Sequence, residues 1–257
     1  MIDPVAFYIG SIGIRWYAII IGSALLFGIF IIQREAKRRG IDQEFFLDFF
    51  LYGIPAAVIG ARLYYVIFQW EIYSRNPAKI LAFREGGLAI HGAVLGGLIV
   101  LIIMSKIRNI SFWKSVDIIS PALILGQAVG RWGNFINQEA HGDIVSKEFI
   151  SHFPEFIQKQ MFINGNYYHP TFLYESVWNI FIFIILIYFR KKDYMLKGDI
   201  FLLYIIGYSI GRFFIEAMRT DSLMLGSIRV AQLVSVTAII TGIIILYIRH
   251  RRESGNA

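Results

Sequence analysis

Seven apolar runs, most of them near 20 residues long, follow one another along the chain with short polar breaks between them. At ~1.5 Å of helical rise per residue, a run of that length crosses a ~30 Å hydrocarbon core. In such a core every backbone N–H and C=O must be satisfied within the protein, which leaves helices and closed barrels. The runs are continuous and lack the period-two alternation of barrel strands, so helices are expected. They cover roughly Trp16–Ile32, Phe45–Phe68, Gly87–Met104, Val116–Asn137, Phe172–Phe189, Ile200–Met218 and Val230–Ile248, the fourth being interrupted by Gln127, Arg131, Asn134 and Gln138. The expected fold is an all-α integral membrane protein with about seven transmembrane helices, and residues 1–257 form a single membrane-embedded domain.

Only 17% of residues are charged, against about a quarter in a soluble domain, and the length of 257 residues fits one membrane domain with no sizeable soluble module. The net charge of +7 points to anionic lipid headgroups rather than nucleic acid, because the basic residues cluster between apolar spans. Fourteen of them (Arg34, Lys37, Arg38, Arg39, Lys106, Arg108, Lys114, Arg190, Lys191, Lys192, Lys197, Arg249, Arg251, Arg252) fall on one side. Eight (Arg15, Arg75, Lys79, Arg84, Lys147, Lys159, Arg219, Arg229) fall on the other. The basic side is cytoplasmic by the positive-inside rule, so the amino terminus faces out and the carboxyl terminus in. The first run lacks a basic flank ahead of it, and no cleavable signal peptide is expected. Two outward connections are long, 69–86 and 138–171, and the second is long enough to form a small head.

A charge at membrane depth costs about 2.5–3.5 kcal/mol on insertion scales. Arg62, Arg131 and Arg212 lie within spans, and His91, Glu175 and Glu216 within or near their ends. With this orientation Tyr17, His91 and Glu175 lie near the outer starts of their spans. Arg62, Arg131, Asn134, Tyr208, Arg212 and Glu216 lie toward outer ends, so residues from six spans share one leaflet. Tyr208, Arg212 and Glu216 repeat at intervals of four, and Gln127, Arg131, Asn134 and Gln138 at four, three and four, each forming one polar stripe.

Taken singly, several of these have plain structural readings. Arg212 and Glu216 make an i, i+4 ion pair, Arg62 snorkels outward, and His91 satisfies a helix end. Gly92, Gly96, Gly97, Gly130 and Gly133 let helices approach closely. Two arginines at one depth point further, because a planar guanidinium matches phosphate and so suits an anion site.

The segment Gly130-Arg131-Trp132-Gly133-Asn134-Phe135-Ile136-Asn137, followed by Glu139 and Gly142, resembles the signature of the bacterial prolipoprotein diacylglyceryl transferases. The same resemblance runs through Trp16-Tyr17, through Gly86-Gly87-Leu88 leading to His91-Gly92, and through His169-Pro170-Thr171 leading to Tyr174-Glu175. It continues in Gly207-Tyr208, Gly211-Arg212 and Glu216. The chain departs from the family pattern at Asp143, where a basic residue is common, and in a loop at 143–168 shorter than in some members.

The resemblance implies transfer of the diacylglyceryl group of phosphatidylglycerol to the lipobox cysteine thiol of a prolipoprotein signal peptide. A thioether forms and glycerol phosphate leaves, in the first step of lipoprotein maturation at the outer leaflet of the bacterial inner membrane. The lack of cysteine fits a reaction whose thiol belongs to the substrate. Under that reading Arg131 and Arg212 hold the phosphate and stabilise the leaving group. Asn134 orients the headgroup, while Glu139 and Glu216 position the arginines or bind glycerol hydroxyls. Tyr17 and Tyr208 hydrogen-bond substrate or Arg212. His91 is the candidate base for a thiol of pKa ~8.5, with helix positioning as its rival role and the arginine field as a rival means of activation.

An anion transporter would also gather arginines in the membrane, but the inner halves of the spans are nearly all apolar and no repeat is visible. A scaffold would explain the glycines but not the shared depth of the arginines. No cofactor or metal site is expected, since His141, His152 and His169 lack a trustworthy ligand spacing.

Overall fold

The computed structural model describes residues 2–82 and 86–255; Arg84, one of the eight outward-side cations, lies outside the described residues. The chain starts with a hairpin of β1 (Val5–Ile9) and β2 (Ile12–Arg15) and continues into α1 (Trp16–Arg38), α2 (Gln43–Phe68) and α3 (Trp70–Arg75). A short 3-10 helix (Pro77–Leu81) precedes α4 (Ile90–Ile107) and α5 (Phe112–Asn137). Then come β3 (Ile144–Val145), α6 (Lys147–Ile150), α7 (Glu155–Gln160), β4 (Phe162–Ile163) and β5 (Asn166–Tyr168). The last elements are α8 (Thr171–Phe189), α9 (Asp199–Glu216), a small hairpin of β6 (Met224–Leu225) and β7 (Ile228–Arg229), and α10 (Val230–Gly255).

Among the described residues all long elements are helices, and five of them (α1, α2, α4, α8 and α10) are long and apolar enough to cross a membrane. Large apolar side chains such as Leu26, Phe27, Ile67, Phe68 and Tyr247 stay exposed along them, as a lipid surround requires. The expected third span starts late. Gly86 and Gly87 have φ of +87° and +73°, a left-handed conformation that a helix cannot incorporate, so α4 starts at Ile90. Among the described residues the strands, none longer than five residues, are confined to the chain start and to the connections.

The chain divides into two compact units. The first combines Met1–Ile31 with Val116–Ala257, and the second is Ile32–Ser115. In the second unit α2 packs on α4 through small residues. A Cβ added at Gly60, Gly92 or Gly96 would fall within 3.0 Å of facing backbone at Gly92, Gly60 or Ala56, so the helix backbones touch. Arg62 departs from the snorkelling reading. It is only 3% exposed and donates to the carbonyls of Ile80 (2.9 Å), Gly86 (2.6 Å), Gly87 (3.0 Å), Lys79 and Ala82 (3.3 Å). Its guanidinium also lies 5.1 Å from the centre of the Tyr73 ring. Five carbonyls of one connection take the donors that would otherwise need water, so the side chain holds the connection instead of leaving the membrane.

In the first unit α5, α8 and α9 share a core of Ile124, Ile182, Leu186, Ile200 and Tyr204. A second core gathers Phe135, Ile150, Ile157, Met161 and Phe172, so the connection between α5 and α8 folds into the expected head. Its strands pair antiparallel in the order β3-β5-β4. Gln160, buried in this head, caps α5 by donating to the carbonyls of Phe135 (3.3 Å) and Ile136 (2.9 Å). Carbonyls at a helix end have no partner within the helix, and an amide from the head supplies one.

Candidate active site

Arg131 on α5 and Arg212 on α9 converge, inside the first unit, on one buried carboxylate. Arg131 Nη2 lies 2.9 Å from Glu175 Oε1, and Arg212 Nη1 lies 3.5 Å from Glu175 Oε2. Arg212 Nη2 makes a 2.5 Å pair with Glu216 Oε2, one helical turn on. The Arg131–Glu175 contact is an ion pair at a poor hydrogen-bond angle, so Glu175 Oε1 keeps unused acceptor capacity. Glu175 and Glu216 are 3% and 2% exposed, whereas the arginine side chains keep 22% and 18% of their surface open. The carboxylates are therefore buried between the helices, and the arginine side chains stay partly open.

The network continues toward the head. Arg131 Nη1 donates to Asn134 Oδ1 at 3.3 Å, and Asn134 Nδ2 donates to Glu139 Oε1 at 2.8 Å. Asn137 Nδ2 reaches the same oxygen at 3.4 Å. Glu139 stands between Gln138 and Ala140, whose φ values of +54° and +56° are unfavourable for residues with a side chain. Such strain persists where surrounding contacts enforce it. Here Gln138 donates to the Gln160 carbonyl at 2.7 Å and Thr171 Oγ1 to the Ala140 carbonyl at 2.7 Å. A narrow recess beside this turn is lined by Asn134, Gln138, Glu139, His141, Met161 and Thr171.

Two glycines bring the helices together. A Cβ at Gly211 would run into the Trp178 ring, and a Cβ at Gly133 into the Tyr17 ring. Trp178 Nε1 then donates to the Gly207 carbonyl at 2.8 Å, which fixes α8 against α9 one turn from the arginine–glutamate contact. Tyr208, one turn before Arg212, stacks on Tyr204 with centroids 6.2 Å apart and lies in the field of Glu175, Arg131 and Arg212. Below it Gln127 Nε2 donates to the Tyr204 hydroxyl at 3.1 Å.

Beyond α9, Arg219 grips Asp221 through two hydrogen bonds of 2.9 and 2.8 Å, and these hold the Asp221 carboxyl below its usual range. At the foot of α8, burial lowers the His169 imidazole pKa, against an opposing pull from Asp143. Asp143 thus has an electrostatic partner in the head, and its backbone carbonyl also accepts from His169 N at 3.0 Å.

Of the residues singled out from sequence, Arg131, Asn134, Glu139, Arg212 and Glu216 form one continuous network. Tyr17 and Tyr208 belong to the same unit, Tyr17 against Gly133. His91 belongs to the second unit, exposed in the first turn of α4 and stacked on Tyr64 with centroids 5.8 Å apart. The functional reading from sequence gave Glu175 no role, although it bridges both arginines. Its signal was a carboxylate in the second turn of an otherwise apolar run. Among the described residues no group of three or more His, Asp and Glu side chains is placed to hold a metal.

Fold and site together define a helical membrane protein with a partly open arginine–carboxylate cluster between its helices. The sequence pattern of the prolipoprotein diacylglyceryl transferases matches residues 4–248. The phosphatidylglycerol–prolipoprotein diacylglyceryl transferase of Bacillus velezensis is 50% identical over 254 residues, covering 98% of this chain and 93% of the relative. The protein of that name from Bacillus cereus (strain G9842) is 49% identical over 258 residues, covering 100% and 94%. The chain belongs to the prolipoprotein diacylglyceryl transferase family.

Proposed function

We propose that this chain transfers the diacylglyceryl group of phosphatidylglycerol to the lipobox cysteine of prolipoprotein signal peptides, releasing glycerol phosphate. The observation that carries the reading is the pair of partly open arginine side chains, Arg131 and Arg212, that converge on the buried Glu175. Attack of sulfur on the glycerol carbon breaks a carbon–oxygen bond, and negative charge grows on the departing phosphate. Preorganised cations are worth most where such charge develops away from water. Arg131 and Arg212 hold that phosphate. Asn134 and Glu139, joined to Arg131 through one chain of hydrogen bonds, orient the glycerol headgroup, and Glu216 fixes Arg212. Tyr17 and Tyr208 border the substrate. His91 serves as base for the thiol, its exposed ring in the first turn of α4 being open to an incoming peptide.

The same reading makes the chain one membrane-embedded domain of the bacterial inner membrane. Its seven long helices all cross, with the amino terminus outside, the carboxyl terminus in the cytoplasm and the site at the outer leaflet. The connections 69–86 and 138–171 then lie outside. The test is transfer of labelled diacylglycerol from phosphatidylglycerol to a lipobox peptide by purified protein. Product with the cysteine peptide and none with its serine counterpart is expected, together with glycerol phosphate. No product from folded protein that binds the lipid contradicts the proposal.

A further inference from the structure

The four charges at the centre of the site cancel. Arg131 and Arg212 contribute two positive charges, and Glu175 and Glu216 two negative ones. The neighbouring Arg219–Asp221 pair is balanced as well. A phosphodiester headgroup brings a further negative charge to this neutral cluster. To reach both arginines it must take over contacts that a carboxylate now holds. The carboxylate it replaces would then be buried, charged and unpaired, which is among the least favourable states available to a side chain. Uptake of one proton removes that charge.

The geometry singles out one of the two carboxylates. Glu175 occupies the position a bridging phosphate needs, with Oε1 toward Arg131 and Oε2 toward Arg212. Its hold on Arg212 is loose at 3.5 Å, and its Oε1, like Glu216 Oε2, accepts no hydrogen bond. Glu216 sits on the same helix as Arg212, holds it at 2.5 Å, and makes no pair with Arg131. Glu175 faces Arg131 from α5 and Tyr208, Arg212 and Glu216 from α9, with Arg219 beyond the helix end; Tyr174 precedes it on α8 and His169 lies before that helix.

We propose that Glu175 is a proton-linked counter-ion: it neutralises Arg131 and Arg212 in the resting site and takes up one proton when the phosphodiester of phosphatidylglycerol engages them. The proposal rests on the transferase reading and deepens it, since it makes Glu175 a positioning residue that acts through the arginines. These four groups then leave no unpaired buried charge in the resting site, and lipid binding exposes two cations to the phosphate without leaving an unpaired anion. Binding is therefore linked to pH. Where Glu175 is ionised in the free protein, affinity falls as pH rises, by up to about tenfold per pH unit for one proton taken up.

Calorimetric titration of short-chain phosphatidylglycerol into purified full-length protein tests this, run in two buffers of different ionisation enthalpy. The diester does not titrate near neutral pH, so any proton taken up belongs to the protein. Wild-type protein must take up close to one proton per lipid. Glu175→Gln must take up none, lose the pH dependence, and bind at alkaline pH about tenfold or more tighter than wild type. Glu216→Gln must keep the uptake. A pH-independent wild-type affinity overturns the proposal, and so does uptake that survives Glu175→Gln. If Glu175→Gln does not fold, the wild-type profile and Glu216→Gln decide, and uptake lost in Glu216→Gln counts against Glu175. Transfer to a cysteine lipobox peptide is measured on the same protein. Transfer without proton uptake removes this proposal alone; uptake without transfer removes the transferase reading and leaves proton-linked lipid binding standing.

Discussion

Arg62 in the second unit and the Arg131–Arg212 pair in the first solve one problem in opposite ways. Each places a guanidinium within a long helix where its charge is unwelcome. Arg62 spends its donors on five backbone carbonyls of a single connection and is 3% exposed. Arg131 and Arg212 meet the carboxylates of Glu175 and Glu216, and keep 22% and 18% of their side-chain surface open. Five carbonyls leave a guanidinium no donor for a ligand. Carboxylates cancel the charge, and a carboxylate can be exchanged for a phosphate. Burial of an arginine therefore does not mark a site; the donors left over do.

The contrast can be broken most directly by removing each kind of arginine. Arg131→Ala and Arg212→Ala are each expected to lower transfer about a hundred- to a thousandfold, as loss of one preorganised donor does, while the protein still folds. Activity assays paired with thermal unfolding in detergent check both halves. Arg62→Met is expected to act the other way round. Several carbonyls lose their partner, each at a cost of about 1–3 kcal/mol, so folded yield and unfolding temperature fall, and activity falls only in proportion to folded protein. An Arg62 variant that folds normally but cannot transfer would erase the distinction.

A smaller effect sharpens the comparison from the packing side. Gly96→Val places a side chain against the Ala56 backbone and is expected to destabilise the second unit by about 1–3 kcal/mol, read as a lower unfolding temperature. The smallest effect concerns the head. The His169 pKa is lowered in the folded state, so the unfolded chain binds more protons between that value and about 6.5. Stability must then decline as pH falls below about 6.5 and level off below the folded value, and His169→Asn must flatten that part of the profile. Unfolding temperatures across pH 5 to about 8 read it out.

The helices were legible because their physics is local. An apolar run of 20 residues has few alternatives, and Arg131, Asn134, Arg212 and Glu216 stood out as costly exceptions within such runs. What escaped was tertiary. Nothing in the spacing of Lys79, Ile80, Ala82, Gly86 and Gly87 says that their carbonyls will close around Arg62. Glu175 was visible as an unusual charge, but its bridging role depends on α5 and α9 meeting at α8, which no sequence separation encodes. The strands β3, β4 and β5 are two or three residues long and exist through pairing with each other, so no alternation was long enough to read. Gly86 and Gly87 did carry a local signal, and the left-handed turn that delays α4 follows from it.

The central claim is that the phosphate sits on Arg131 and Arg212 and not on Arg62. Phosphorus–nitrogen dipolar dephasing by solid-state NMR tests it, with arginine side chains isotope-labelled and phosphatidylglycerol bound to the protein in lipid. The account requires dephasing of two guanidinium signals, one lost in Arg131→Lys and the other in Arg212→Lys, with both kept in any folded Arg62 variant. Dephasing that survives both substitutions, or that tracks Arg62, contradicts it.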